Sequence, residues 1–169
     1  MKQLIVYTLV MFCAVSLNAT VALADPLPLA ATFETSMLEG HNTARNLVGQ
    51  GPLVWSNALA IGAASCAAQL AQTEVFEHCE GSNGWSGNGE NLWMGTRTAY
   101  SYAQMVGAWV NERTLRRKSD RRDVFHEATG HYDQVVWPDT RQVGCAIRSS
   151  RSWTYLVCEY FPAGNVFEE

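Results

Sequence analysis

The chain has 169 residues, 47% of them hydrophobic and 17% charged, with a formal net charge of −4 at neutral pH. That length supports one domain and is short for two. The acidic balance excludes a uniformly basic nucleic-acid surface, and after the first two dozen residues no run is apolar for long enough to cross a bilayer.

The N-terminus reads as an export signal. Met1-Lys2 precedes an apolar run from Leu4 to Leu17, and Ala22-Leu23-Ala24 offers a small-x-small cleavage site before Asp25. The expected organisation is a signal peptide over 1–24 and one domain over 25–169. Phe12 stands where a lipoprotein signal at Cys13 would need a small residue, which excludes that alternative. Cleavage removes Lys2 and leaves eleven basic against sixteen acidic residues, a net charge of −5. It also removes Cys13. Four cysteines remain, at 66, 79, 145 and 158. An even count in an exported chain favours disulfides, and three pairings are possible. Locality pairs Cys66 with Cys79 across a helix end and loop, and Cys145 with Cys158 across two strand-like runs. No C-x-x-C occurs, which argues against a zinc site of four thiolates.

After a Pro26/Pro28 lead-in, Phe33, Met37, His41, Ala44 and Leu47-Val48 recur at helical spacing, predicting a helix over about 32–48. Ser36-Met37-Leu38-Glu39 also fits a capping box and offers a later start. Gly49-Gln50-Gly51-Pro52 stops the helix. Ser56 caps a second helix reaching about Thr73, with Leu59, Ala63, Cys66, Ala67 and Leu70 on one stripe. Residues 75–89 are rich in glycine and serine and read as loop. Glu90 to Met94 fits a strand or an irregular core-lining piece. A third helix begins near Thr98 or Ser101 and carries Tyr102, Met105, Val106, Trp109 and Val110. Glu112 follows Trp109 by three residues and shares its face.

Half of the twelve basic residues fall in Arg113, Arg116, Arg117, Lys118, Arg121 and Arg122. A solvated loop is the plain reading; attraction to an anionic surface is the sharper one. Residues 142–149 and 153–161 alternate as strands. If Cys145 lies opposite Cys158, Ser149 faces Thr154 and the turn is Ser150 to Trp153. Helices followed by an antiparallel hairpin predict an α+β layered domain.

Four motifs now stand in order along the chain. They are His41-Asn42-Thr43-Ala44-Arg45, Gly89-Glu90-Asn91-Leu92, Gly130-His131-Tyr132-Asp133-Gln134-Val135-Val136-Trp137, and Tyr155 through Val166 with its Cys158-Glu159-Tyr160-Phe161-Pro162-Ala163-Gly164-Asn165 core. Together they resemble the CAP superfamily (the SCP domain), which includes cysteine-rich secretory proteins, antigen 5 and plant pathogenesis-related proteins. The likeness runs from about Ser36 to Val166. It implies a three-layer α-β-α sandwich with a central antiparallel sheet, a short helical turn at His131, and support for the Cys145–Cys158 bond.

The resemblance also implies a cleft holding His78, Glu90, Glu112 and His131. Neutral imidazoles bind divalent cations, and carboxylates ligate or orient them. His78 and His131 are the expected metal ligands, for zinc or a similar divalent ion, with Glu90 and Glu112 as ligands or supports. Asp133 replaces the family's threonine or serine and is expected to raise the His131 pKa or orient its ring. His41, Asn42 and Arg45 read as structural, with Asn42 and Arg45 aimed at buried carbonyls or carboxylates. Trp85, in the glycine-rich loop, reads as exposed.

The function expected is that of a secreted or periplasmic, non-catalytic binding module. Its ligand would be a lipid, a sterol-like molecule or an anionic surface. The alternative is a metal-dependent hydrolase acting on peptide or cell wall through Glu90, Glu112 and His131. The chain has neither H-E-x-x-H nor G-x-S-x-G, so no catalytic residue is assigned in the preferred reading.

Overall fold

The computed structural model describes residues 32–79, 87–115 and 127–166. The predicted signal peptide, Trp85 and the basic run from Arg116 to Arg122 lie outside them.

The first helix, α1, spans Phe33–Leu47. Its start is the earlier of the two foreseen: Thr32 is extended, and its hydroxyl accepts from Thr35 N. The turn at Ser36 therefore lies inside the helix. Strand β1 is only Val54–Trp55. Helix α2 spans Asn57–Thr73 behind a Ser56 cap, and it buries Leu59, Ala63, Cys66, Ala67 and Leu70. Strand β2 covers Gly89–Thr96, which resolves the strand-or-irregular ambiguity at Glu90. Helix α3 runs Tyr102–Asn111, opened by a Ser101/Gln104 capping box. A 3-10 turn at Glu112–Leu115 continues it. Helix α4 is the short Gly130–Val135 turn. Strands β3, Gln142–Ser149, and β4, Trp153–Phe161, form the hairpin.

The sheet order is β1-β3-β4-β2. Cys145 pairs with Cys158 and Ser149 with Thr154, the register the disulfide required. Strands β3, β4 and β2 are antiparallel neighbours, while β1 joins β3 in parallel, so the sheet is mixed. A two-residue strand is too short to show a period in sequence, which is why it was not anticipated.

Side chains alternate across the sheet and sort into two cores. Val143, Cys145, Leu156, Cys158 and Tyr160 pack with Met37 and Ala44 of α1, with Met105, Val106 and Trp109 of α3, and with Val135 of α4. Leu92, Ala146, Tyr155 and Val157 pack on the other face with the α2 stripe. Helix α2 comes very close to the sheet at Gly144, where an added Cβ would collide with the backbone of Ser56, Leu59 and Ala60. Helices on both faces of a central sheet make the α+β three-layer sandwich that the motifs implied. Both disulfides form as paired by locality, Cys66–Cys79 under α2 and Cys145–Cys158 across the hairpin. The thiolate zinc alternative falls with them.

The first motif holds the α1 layer to the rest. Asn42 donates to Leu53 O at 3.1 Å and accepts from Leu53 N at 2.7 Å. Arg45, 1% exposed, donates to the carbonyls of Gly51, Val135, Trp137 and Thr140. Burial lowers its pKa from the ordinary arginine value. His41 is fully buried, bonded through Nδ1 to Met37 O and through Nε2 to the Tyr160 hydroxyl. A carbonyl only accepts, so Nδ1 carries the proton and Nε2 accepts from Tyr160. Desolvation lowers the His41 pKa to about 4, the Met37 carbonyl opposes that shift and Arg45 adds to it.

Candidate functional site

Each of the two expected metal-binding histidines is backed by a glutamate. His78 Nδ1 lies 2.7 Å from Glu90 Oε1, and His131 Nδ1 lies 2.6 Å from Glu112 Oε1. An ionised carboxylate only accepts, so both Nδ1 atoms donate. That leaves the Nε2 lone pair of each neutral ring free, and among the described residues no protein group bonds either Nε2. The His78 and His131 side chains are 46% and 37% exposed, against 0% and 20% for Glu90 and Glu112. The rings therefore meet solvent and the carboxylates stand behind them. This is the arrangement in which a carboxylate fixes the tautomer of a histidine and raises its basicity toward a cation.

The sequence explains how each pair forms. Glu112 ends α3 one turn after Trp109 and also accepts from Tyr132 N at 3.1 Å, which anchors α4 to α3. Trp109, 2% exposed, stacks beneath His131 with ring centroids 6.1 Å apart and planes 23° from parallel. Its indole N–H is spent on Leu92 O. Glu90 takes a second bond from Cys79 N at 3.2 Å, so the Cys66–Cys79 disulfide sets the position of the loop that carries His78.

The two pairs are rooted at adjacent residues of β2. Glu90 faces α2 and holds His78 there. Asn91 faces the other way and donates to the carbonyl of His131 and to the Tyr160 hydroxyl, both at 3.1 Å. Asn91 was legible only as a motif letter; its partners lie far away in the chain, so no local signal marked it. Asp133 does not take the place expected of it. Glu112 holds the His131 ring, while Asp133 is buried and accepts from the Thr129 hydroxyl at 2.8 Å. Residues two apart on a helix point to different sides, which separates Asp133 from the His131 ring.

One acidic residue was missed. Glu159 sits opposite Glu90 across the β2/β4 ladder, 8% exposed, with Asn88 donating to its Oε2 at 3.0 Å. Paired residues of a ladder share a face, so two buried carboxyls lie side by side beneath α2. Glu90 Oε2 has no hydrogen-bond partner. Burial raises the Glu159 pKa, the Asn88 bond opposes this, and the Glu90 charge adds to it.

The four expected residues do not close into a cage. Among the described residues, the one group of three histidine, cysteine or acidic donors within 4.8 Å is Cys66, Cys79 and Glu90. Its two sulfurs are joined as a disulfide and offer no thiolate, so that group does not fit a metal. The Nε2 atoms of His78 and His131 have the donor chemistry that divalent ions take, neutral imidazole lone pairs that no protein group among the described residues uses.

Comparison with known proteins gives the family. The family model described as "CAP: Cysteine-rich secretory protein family" matches residues 38–160. Pathogenesis-related protein PR-1 of Medicago truncatula is 36% identical over 140 residues, 82% of this chain and 78% of that protein. Protein PRY2 of Saccharomyces cerevisiae is 40% identical over 142 residues, 81% of this chain and 39% of that protein. The fold is shared with the crystal structure of NaASP2 with Zn2+, at a TM-score of 0.66 and 24% identity, covering 80% of this chain and 82% of that one. From the motifs, the fold and these matches together, the chain belongs to the CAP, or cysteine-rich secretory protein, family.

Proposed function

We propose that this chain is an exported, non-catalytic binding protein whose His78 and His131 imidazoles take one divalent cation, zinc or an ion like it. One observation carries the reading: each Nδ1 is held by a glutamate, and each Nε2 is left to solvent. The N-terminal pattern of residues 1–24 and the two disulfides support export to a secreted or periplasmic location. The Zn2+ that accompanies NaASP2 in its crystal structure supports the choice of ion. A lipid- or sterol-like ligand or an anionic surface completes the proposal, and a largely apolar cavity of about 620 Å³ at the other end of the sheet supports a small-molecule ligand. Among the described residues no helix is long and apolar enough to cross a membrane.

Calorimetric titration with zinc tests the reading. The wild-type protein should bind one ion, and His131→Ala should weaken binding at least tenfold. Equal binding by the two would remove the proposal. Lipid extraction of protein purified from its native source, followed by mass spectrometry, tests the ligand class.

The hydrolase alternative draws on the same pairs, since a bound metal would supply water activation beside a Glu112–His131 base. It requires chelator-sensitive turnover that Glu112→Gln abolishes.

A further inference from the structure

The cavity lies where β2 hands over to α3. Tyr100, Tyr102, Met105, Ile147 and Arg148 line it, and the Ser149 and Thr154 hydroxyls, 2.9 Å apart, close its hairpin side. Six residue steps along β2 separate Glu90 from Thr96, where the strand meets this hairpin. At the usual strand rise that is about 20 Å, so the cavity is remote from the imidazoles.

Three features of the lining bear on its ligand. The two tyrosines are fixed walls. Tyr100 meets Trp93 edge-on, and Tyr102 meets Phe33 edge-on, each with centroids 5.1 Å apart and planes 80° apart. Both nevertheless remain open to solvent, at 45% and 38%. Rigid exposed rings with the Met105 thioether beside them favour a flat aromatic guest over a flexible chain. The second feature is charge. Arg148 is exposed and gives one guanidinium N–H to the carbonyl of Ile147, and no carboxylate accepts from it among the described residues. Strand alternation sets the Arg148 stem on the Tyr155 side of β3, and its guanidinium turns back to the carbonyl of Ile147. Unpaired there among the lining residues, it is complementary to a carboxylate, which it can grip with two parallel bonds. The third is backbone strain: Thr98, on the rim, has φ of +59°. Non-glycine residues held there tend to cluster at ligand sites.

We infer that this cavity is a binding site for a small aromatic carboxylate, with the ring against Tyr100 and Tyr102 and the carboxylate on Arg148. The inference rests on reading the chain as a binding protein, and it adds a site and a ligand class that the imidazoles do not supply.

The probe is 2-naphthoate, titrated by calorimetry into the full disulfide-bonded protein, with 2-naphthalenemethanol and laurate as comparisons. Saturable binding at one site per chain is expected. Arg148→Gln, a change at an exposed position, should weaken naphthoate about tenfold, or ~1.4 kcal/mol, and leave the neutral alcohol unaffected. Tyr100→Ala should weaken both. Zinc binding should be the same in all variants. Absence of saturable naphthoate binding, equal affinity in Arg148→Gln, or laurate binding in its place would overturn the inference. A ligand found by native extraction alongside such a failure would leave the binding-protein reading standing and remove only this site.

Discussion

Glu90 and Asn91 are neighbours on β2, yet they bond the two histidines from opposite faces of the sheet, one at its ring and the other at its backbone carbonyl. Glu90 bonds the His78 ring on the α2 side, and Asn91 bonds the His131 carbonyl on the α1/α3 side. The alternation of a strand thus brings two distant loops to one end of β2. Within Gly89-Glu90-Asn91-Leu92 the glutamate thus bonds a histidine ring and the asparagine a histidine backbone.

In the proposed cation site the glutamates act through the histidines they bond. Glu112→Ala would free the His131 ring to rotate and release its tautomer. Zinc affinity should fall ten- to a hundredfold, the usual effect of losing such a support. Calorimetry compares the variants, and unchanged affinity would mean that Glu112 only ties α4 to α3.

Acid should weaken the protein through His41. Its pKa in the fold is about 4, against 6.5 in the open chain, because burial disfavours the charged ring. Below pH 6.5 the unfolded chain takes up a proton that the folded one refuses. The stability this group contributes is therefore present above pH 6.5 and is lost as pH falls toward 4, with a full effect of about 3 kcal/mol. Urea unfolding at pH 7, 5.5 and 4.5 checks it. His41→Gln should be less stable at pH 7 but show a shallower loss across that window.

Glu159 runs the other way. Its pKa is raised, chiefly by burial, so the folded state holds the proton more tightly than the unfolded one. The resulting stability is present below the ordinary glutamate value and is lost as pH rises through the raised one. Glu159→Gln keeps an acceptor for Asn88 and removes the charge facing Glu90. It should melt higher than wild type at pH 8, and the difference should vanish near pH 4. A thermal scan across that range reads both limits.

Arg45 should prove costly to change. Its guanidinium satisfies four carbonyls from the segments after α1 and around α4. Lysine carries one nitrogen and cannot fork to all four. Arg45→Lys should lose about 2–4 kcal/mol in denaturant unfolding, since unmet buried carbonyls are expensive. A loss under 1 kcal/mol would show that water replaces those bonds.

The sequence showed most where one local rule decided the outcome. The α2 stripe follows from helical periodicity and one serine cap. The hairpin register follows from placing Cys145 opposite Cys158. It showed least where partners come from distant segments. Asn91, Tyr160 and His41 form one buried chain of hydrogen bonds, and nothing within ten residues of any of them announces it. Asp133 was drawn toward His131 by proximity in the chain, and helix geometry turned it away. Glu159 looked like one more polar residue on an alternating strand until its register placed it against Glu90.

X-ray absorption at the zinc edge, on protein loaded with one equivalent of the ion, directly tests the proposal that both imidazoles share one cation. Two imidazole nitrogens per zinc are expected, falling to one in both His78→Ala and His131→Ala. A zinc spectrum with sulfur neighbours, or one unaltered by either substitution, would contradict it.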